Sequence, residues 1–138
     1  MLTATRFSEA RSRLSRLFDE VVEEFRPVLI QRRGREALLL RRENLETLLE
    51  PFTLRANVLD EGDGSVTIAI DELDWAVNAP SRDAAVAELV ADLRQYAEDY
   101  IERAQVFLRA PNRRAHFPYV LRVLLASTDE QVRRIVRL

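Results

Sequence analysis

The sequence predicts an α+β protein built in two parts. Three observations carry that reading: two short apolar runs around an arginine-loaded turn between Pro27 and Leu40, three β-rich segments between Phe52 and Ala79, and a long apolar stripe at helical spacing from Val86 to Ile101. The chain has 138 residues and 47% hydrophobic content, enough for one ordinary domain or two small ones.

Leu2 to Thr5 is short and alternating, as an edge strand would be. A helix is expected from Phe7 to Phe25, where Ala10, Leu14, Leu17, Phe18, Val21 and Phe25 recur at three- and four-residue steps opposite a charged face. Arg6 precedes it and Thr5 is available as an early cap. Arg26-Pro27 ends it, because proline disfavours helical geometry in the residue before it. Val28-Leu29-Ile30 and Ala37 to Leu40 then flank Gln31-Arg32-Arg33-Gly34-Arg35-Glu36. Gly34 supplies a residue that accepts positive φ, so the segment reads as a hairpin tipped by Arg32, Arg33 and Arg35. Asn44 is placed to cap a helix through Leu49, and Pro51 stops it. Pro51 therefore marks the expected boundary between domains 1–51 and 52–138.

The second part opens with a strand over Phe52 to Leu59. Asp60-Glu61-Gly62-Asp63-Gly64 is a turn, Val66 to Ile70 a second strand, and Trp75 to Ala79 a third. Ser81 caps a helix to about Arg103, with Asp83 in its first turn. Val86, Leu89, Leu93, Tyr96 and Tyr100 form its core stripe, thickened by Val90, Ala97 and Ile101. After a break at Ala110-Pro111-Asn112, a short helix runs to Leu125. Ser127 and Glu130, at capping-box spacing, start a last helix to about Val136.

Composition excludes much. There is no cysteine, hence no disulfide, thiolate nucleophile or cysteine zinc site, and one histidine, His116, does not make a metal cluster or a triad. No apolar run approaches the roughly 20 residues of a membrane span. The first residues lack a signal-peptide pattern, so a cytoplasmic protein is expected. Through Pro51 ten arginines meet nine acids; beyond it eleven meet fourteen. Neither part is a basic stripe, so any nucleic-acid binding must come from local arginine placement. All 21 basic residues are arginine, from which no function is argued.

Phe7-Ser8-Glu9-Ala10-Arg11, Leu14-Ser15, the Arg-Arg-Gly-Arg-Glu turn and a short leucine-rich helix, in that order, resemble the prevent-host-death (Phd/YefM) family of bacterial antitoxins. The resemblance covers Met1 to Pro51. It implies a β-α-β-β-α unit that forms a homodimer and binds operator DNA near its own promoter. By position Arg11 matches the family's Ala-Arg pair on the first helix, and Arg32, Arg33 and Arg35 match its hairpin arginines. These four are the candidate DNA-binding residues. Without the family, a solvated hairpin tip is the ordinary reading of such arginines, and Arg11 could equally pair with a nearby serine or acid. Arg13 is a weaker candidate, since the family pattern there is often uncharged. The family's pre-helix position often holds a small capping residue, where this chain has Arg6.

The following β-β-β-α order resembles the small folded domain of HicB antitoxins. That implies a HicA-like RNA-cleaving toxin as partner, while the Phd/YefM likeness equally permits a RelE-like one. Most Phd/YefM members end in a flexible toxin-wrapping segment; this chain has enough periodic structure to fold there, so docking on a preformed surface is expected. An antitoxin of a type II toxin–antitoxin system, repressing its own operon, is the reading that follows.

The remaining candidates have ordinary explanations. Asp60, Glu61, Asp63, Asp71, Glu72 and Asp74 lack the spacing of a calcium loop, and read as turn and surface acids or as a surface for a basic partner. Trp75 reads as a half-buried sheet residue or a partner anchor. Tyr96 and Tyr100 are expected to place their hydroxyls at the rim of the core. Arg113, Arg114 and His116 read as a surface loop. A stand-alone DNA-binding regulator with a C-terminal sensing domain is the rival of another class, and an RNA-binding module is disfavoured by the acids beyond Pro51. An enzyme is the least expected class: no nucleophile–base pair, metal cluster or phosphate loop is present, and no cofactor is implied.

Overall fold

A computed structural model describes every residue from Met1 to Leu138. The chain divides into two compact units, Met1–Leu48 and Leu49–Leu138.

The first unit is a three-stranded sheet in the order β1-β2-β3, with β1 Ala4–Arg6, β2 Val28–Arg32 and β3 Arg35–Leu39. β1 runs parallel to β2, and β2 turns back antiparallel into β3. Arg32 lies opposite Arg35, so the loop is the two residues Arg33 and Gly34. Both have positive φ, 53° and 74°, which is the turn whose twist matches paired strands.

The crossover from β1 to β2 is helical but not continuous. It is α1, Phe7–Ser12, and α2, Leu14–Glu23, broken at Arg13 (φ −131°, ψ 35°). The sequence periodicity predicts one helix here. The hydroxyl of Ser12 donates back to the Glu9 carbonyl at 2.8 Å, a local bond that competes with the helical ladder. The expected apolar face is split in burial: Ala10, Leu17 and Val21 are buried with Val28, whereas Leu14, Phe18 and Phe25 are each more than half exposed. Thr5 does not cap; the N-cap residue is Arg6 and no side chain caps it. Phe25 ends the segment with φ 59°, its ring under the Arg41 guanidinium at 4.4 Å.

α3 spans Arg42–Leu49, beginning earlier than an Asn44 cap requires. The amides of Asn44 and Leu45 both donate to the Arg41 carbonyl, so Asn44 lies inside the first turn. An Arg42–Glu46 pair at 2.8 Å, one turn apart, supports the helix there.

The second unit is a four-stranded sheet, three strands of a meander with Val136–Arg137 added at the edge beside the first of them. β4 is Leu54–Asp60, β5 Val66–Ile70 and β6 Trp75–Ala79, a continuous antiparallel meander. Alternation is clean on β5, where Val66, Ile68 and Ile70 are buried. Across the inner face lies α4, Arg82–Glu102, capped by the Ser81 hydroxyl accepting from the Ala84 amide. Leu89 and Leu93, almost wholly buried, each contribute about 2 kcal/mol by removal from water. Ile101, expected in the stripe, is exposed.

The tail folds back as α5 Ala104–Phe107, α6 Pro111–Arg114, α7 Phe117–Leu125 and α8 Asp129–Ile135. It ends in β7, Val136–Arg137, parallel to β4 with Val136 opposite Leu54. The last helix is capped one residue later than the expected Ser127: Thr128 accepts from the Gln131 amide, while the Gln131 side chain accepts from the Ser127 amide at 2.6 Å. An Arg94–Asp129 bond of 2.6 Å joins α4 to α8.

Candidate nucleic-acid interface

The parallel register of the first unit places Arg6, the last residue of β1, beside Gln31 of β2. The start of α1 therefore stands next to the hairpin tip. Between them is a cleft of about 550 Å³, lined by Arg6, Phe7, Ser8 and Arg11 on one side and by Arg32 and Arg33 on the other. The guanidinium of Arg32 sits 4.8 Å from the centre of the Phe7 ring, an arrangement that holds the group without neutralising it. Arg35 lines a neighbouring hollow of about 280 Å³ together with Phe7, Arg32 and Glu36.

The ion pairs of this unit give the cleft its character. Arg13 pairs with Glu9, Arg16 with Glu20, Arg26 with Glu24, Arg41 with Glu43 and Arg42 with Glu46. The other five arginines of the unit, Arg6, Arg11, Arg32, Arg33 and Arg35, have no carboxylate partner. All five line the cleft or the hollow beside it. Fork-shaped donors collected in one place without counter-charge are suited to phosphate oxygens. Arg13, paired with Glu9 at 3.7 Å, stands apart from this set.

Arg33 adds an energetic observation. A left-handed backbone costs a residue with a β-carbon about 1 kcal/mol, and the first central position of this turn favours asparagine or glycine. The turn carries that strain and presents an arginine at its tip. Arg6 was not legible as a cleft residue in the sequence, where it marked only a missing cap; a parallel pairing across the intervening crossover leaves no local signal.

The second unit accounts for the remaining candidates. Asp63 accepts from the Ser65 hydroxyl at 2.7 Å and from its amide at 2.9 Å, which together hold its carboxyl below the usual range. Glu72 accepts from the Arg55 amide and from the Arg55 side chain at 3.0 Å. Burial pushes its pKa up, but the hydrogen bonds and charge of Arg55 prevail and hold it below the ordinary value. No three acidic or histidine side chains come together as a cation site requires. Trp75 is half-buried and packs on Tyr96 with ring centres 5.4 Å apart.

Two expectations fail here. Tyr96 and Tyr100 are buried to their hydroxyls, and His116 is a core residue. The Tyr100 hydroxyl donates to the Arg113 carbonyl at 2.9 Å, and Arg113 Nη1 donates to the Tyr96 oxygen at 3.1 Å. The Tyr96 oxygen stands 2.6 Å from His116 Nδ1; with Arg113 already donating to that oxygen, we assign the Tyr96 proton to the bond with the imidazole. Burial first, and then the Arg113 charge, push the His116 pKa down against a weaker opposing effect of Asp74. A polar network has closed over what the sequence alone presents as a basic loop.

A family model described as PHD-like, "Antitoxin of toxin-antitoxin, RelE / RelB, TA system", matches residues 1–138. The fold is similar to the crystal structure of an antitoxin part of a proposed toxin/antitoxin system from Syntrophomonas wolfei subsp. wolfei. The TM-score is 0.88 at 29% identity, over 99% of this chain and 97% of that one. No curated protein matches the chain. No helix is long and apolar enough to cross a membrane.

Proposed function

This chain belongs to the PHD-like family of toxin–antitoxin antitoxins, whose model spans it from end to end, and we propose that it works as a two-handed antitoxin. Its first unit binds operator DNA as a homodimer and represses its own operon; its second unit neutralises a small RNA-cleaving toxin. The observation that carries the DNA-binding half is the segregation of charge. Every arginine of the first unit lacking a carboxylate lines one cleft or its neighbouring hollow, at the meeting of helix start and hairpin tip. Arg11, Arg32, Arg33 and Arg35 are the residues assigned to DNA, and Arg6 joins them. A two-fold dimer would present two such clefts to a pseudo-palindrome.

Dimerisation is supported by what the first unit leaves uncovered. Leu14 and Phe18 stand one turn apart on the outer face of α2, and Phe25, Leu38 and Leu48 are exposed as well. So much exposed aromatic and aliphatic surface on so small a unit is the mark of an interaction face. The RelE/RelB wording of the family favours a RelE-like toxin; the β-β-β-α order of the second unit, resembling HicB, supports the HicA-like alternative. In either case the toxin meets a folded surface.

The test is a growth assay. The open reading frame beside this gene is expressed alone and together with this chain. Growth arrest relieved by this chain, with the two proteins purifying as one complex, is expected. A neighbour that is harmless, or toxic without relief, overturns the reading in favour of a stand-alone DNA-binding regulator.

A further inference from the structure

The second unit is acidic, but its charge is not evenly spread. From Leu49 to Glu102 it has thirteen carboxylates and three arginines; from Arg103 to Thr128 it has five arginines and no carboxylate. Arg122 is committed inward, donating to the Phe52 carbonyl at 2.8 Å. The other four, Arg103, Arg109, Arg113 and Arg114, lie in and around α5 and α6 and form no ion pair. Two of them are gathered on one ring: the guanidiniums of Arg103 and Arg113 stand 5.4 Å and 6.0 Å from the centre of Phe107. Phe107 itself stacks on buried Tyr100 at 5.0 Å, and Arg113 is tied to both Tyr96 and Tyr100. Arg103 and Arg113 are therefore anchored on the core, and Arg109 and Arg114 are their exposed neighbours in the chain.

We propose that Arg103, Arg109, Arg113 and Arg114 form a second phosphate-binding face, for the backbone of duplex DNA. The choice of partner comes from the likeness of the two basic places in this chain. In each, arginines without carboxylates stack on a phenylalanine ring, Arg32 on Phe7 and Arg103 with Arg113 on Phe107. A chain with net charge −2 holds nucleic acid only where it segregates its arginines, and it does so at these two sites. The duplex assignment rests on the DNA reading above and extends it. Contacts of this second face go to the duplex backbone and are blind to sequence.

The experiment uses the full chain and a short random-sequence duplex, with affinity followed against salt. R11A/R32A/R33A disables the cleft. In that background residual, salt-dependent binding at low salt is expected. Adding R103Q/R109Q/R114Q is expected to flatten the salt slope by about 2.7 units, and R109Q/R114Q alone by about 1.8, at roughly 0.9 per phosphate contact. Arg109 and Arg114 have no side-chain partner, so the double variant keeps the thermal midpoint of the parent and guards against a folding artefact. An unchanged slope overturns this second face while leaving the cleft intact, provided that R11A/R32A/R33A weakens operator binding. Tighter binding of a single-stranded RNA of equal length overturns the duplex assignment. A wild-type chain that binds no duplex at all overturns both readings together.

Discussion

The arginines of the first unit form two classes, and substituting two from each class separates phosphate contact from bulk charge. Arg32→Ala with Arg33→Ala removes two guanidiniums that face the cleft without a carboxylate. Arg16→Ala with Arg26→Ala removes the same charge from residues paired with Glu20 at 3.6 Å and Glu24 at 3.3 Å. Each phosphate contact contributes about 0.9 to the slope of log affinity against log salt. The cleft variant should thus lose about 1.8 units per subunit, and about 3.6 for a dimer engaging both half-sites. Between about 50 and 200 mM salt, the gap between wild type and variant then narrows roughly tenfold for one subunit and a hundredfold for two. The paired variant should leave the slope near that of wild type, because its arginines are already neutralised locally. Fluorescence anisotropy with the operator, titrated at several salt concentrations, reads both. Equal slopes for the two variants would refute the argument, since the ion-pair partition would then carry no information about where phosphate binds. Toxin neutralisation should be untouched by either variant.

Arg33→Asn separates function from stability at a single position: asparagine suits the turn's positive φ, so the thermal midpoint should rise or hold while the salt slope falls by about one unit. Phe18→Glu places a charge on the exposed face of α2 without touching the buried set, and should convert a dimer to monomer in sedimentation while circular dichroism is preserved. Tyr96→Phe removes a hydroxyl that meets both His116 and Arg113 and leaves a buried imidazole nitrogen without its partner; a loss of about 1 to 3 kcal/mol in urea unfolding is expected. The His116 pKa is depressed in the folded state, so the unfolded chain takes up the proton first. Stability of the second unit is therefore flat above the ordinary value of 6.5 and declines as pH falls below it, until the folded-state pKa is reached. His116→Phe should flatten that part of the pH profile.

Hydrophobic periodicity marks an element correctly where one face of it meets one core. β5, β6 and α4 follow the alternation and the helical stripe: Val66, Ile68 and Ile70, Val77 and Ala79, and Leu89, Leu93 and Tyr96 are buried, while Ile101 falls outside. It failed over Phe7 to Phe25, where two apolar surfaces are superposed in one segment. Ala10, Leu17 and Val21 serve the core, while Leu14, Phe18 and Phe25 serve the outside, and summed they mimic one continuous helix. It also missed β7, since two residues, Val136 and Arg137, carry no period that could be read.

The chemistry of the cleft was set by the sequence: a two-residue turn with glycine, three arginines at its tip and Arg11 on the helix before it. The turn is local, and local φ preferences are enough to specify it. What the tertiary structure alone decided is which of the unpaired arginines stand together. Arg6 joins Arg32 because β1 lies parallel to β2, a pairing between residues separated by a whole crossover. The pairing of Arg13 with Glu9, by contrast, joins residues four apart and is local to the chain. His116 passed from basic loop to buried network because Tyr96, twenty residues earlier on α4, meets its Nδ1. Juxtaposition across a sheet and burial in a core are properties of neighbours in space, and a linear pattern records only neighbours along the chain.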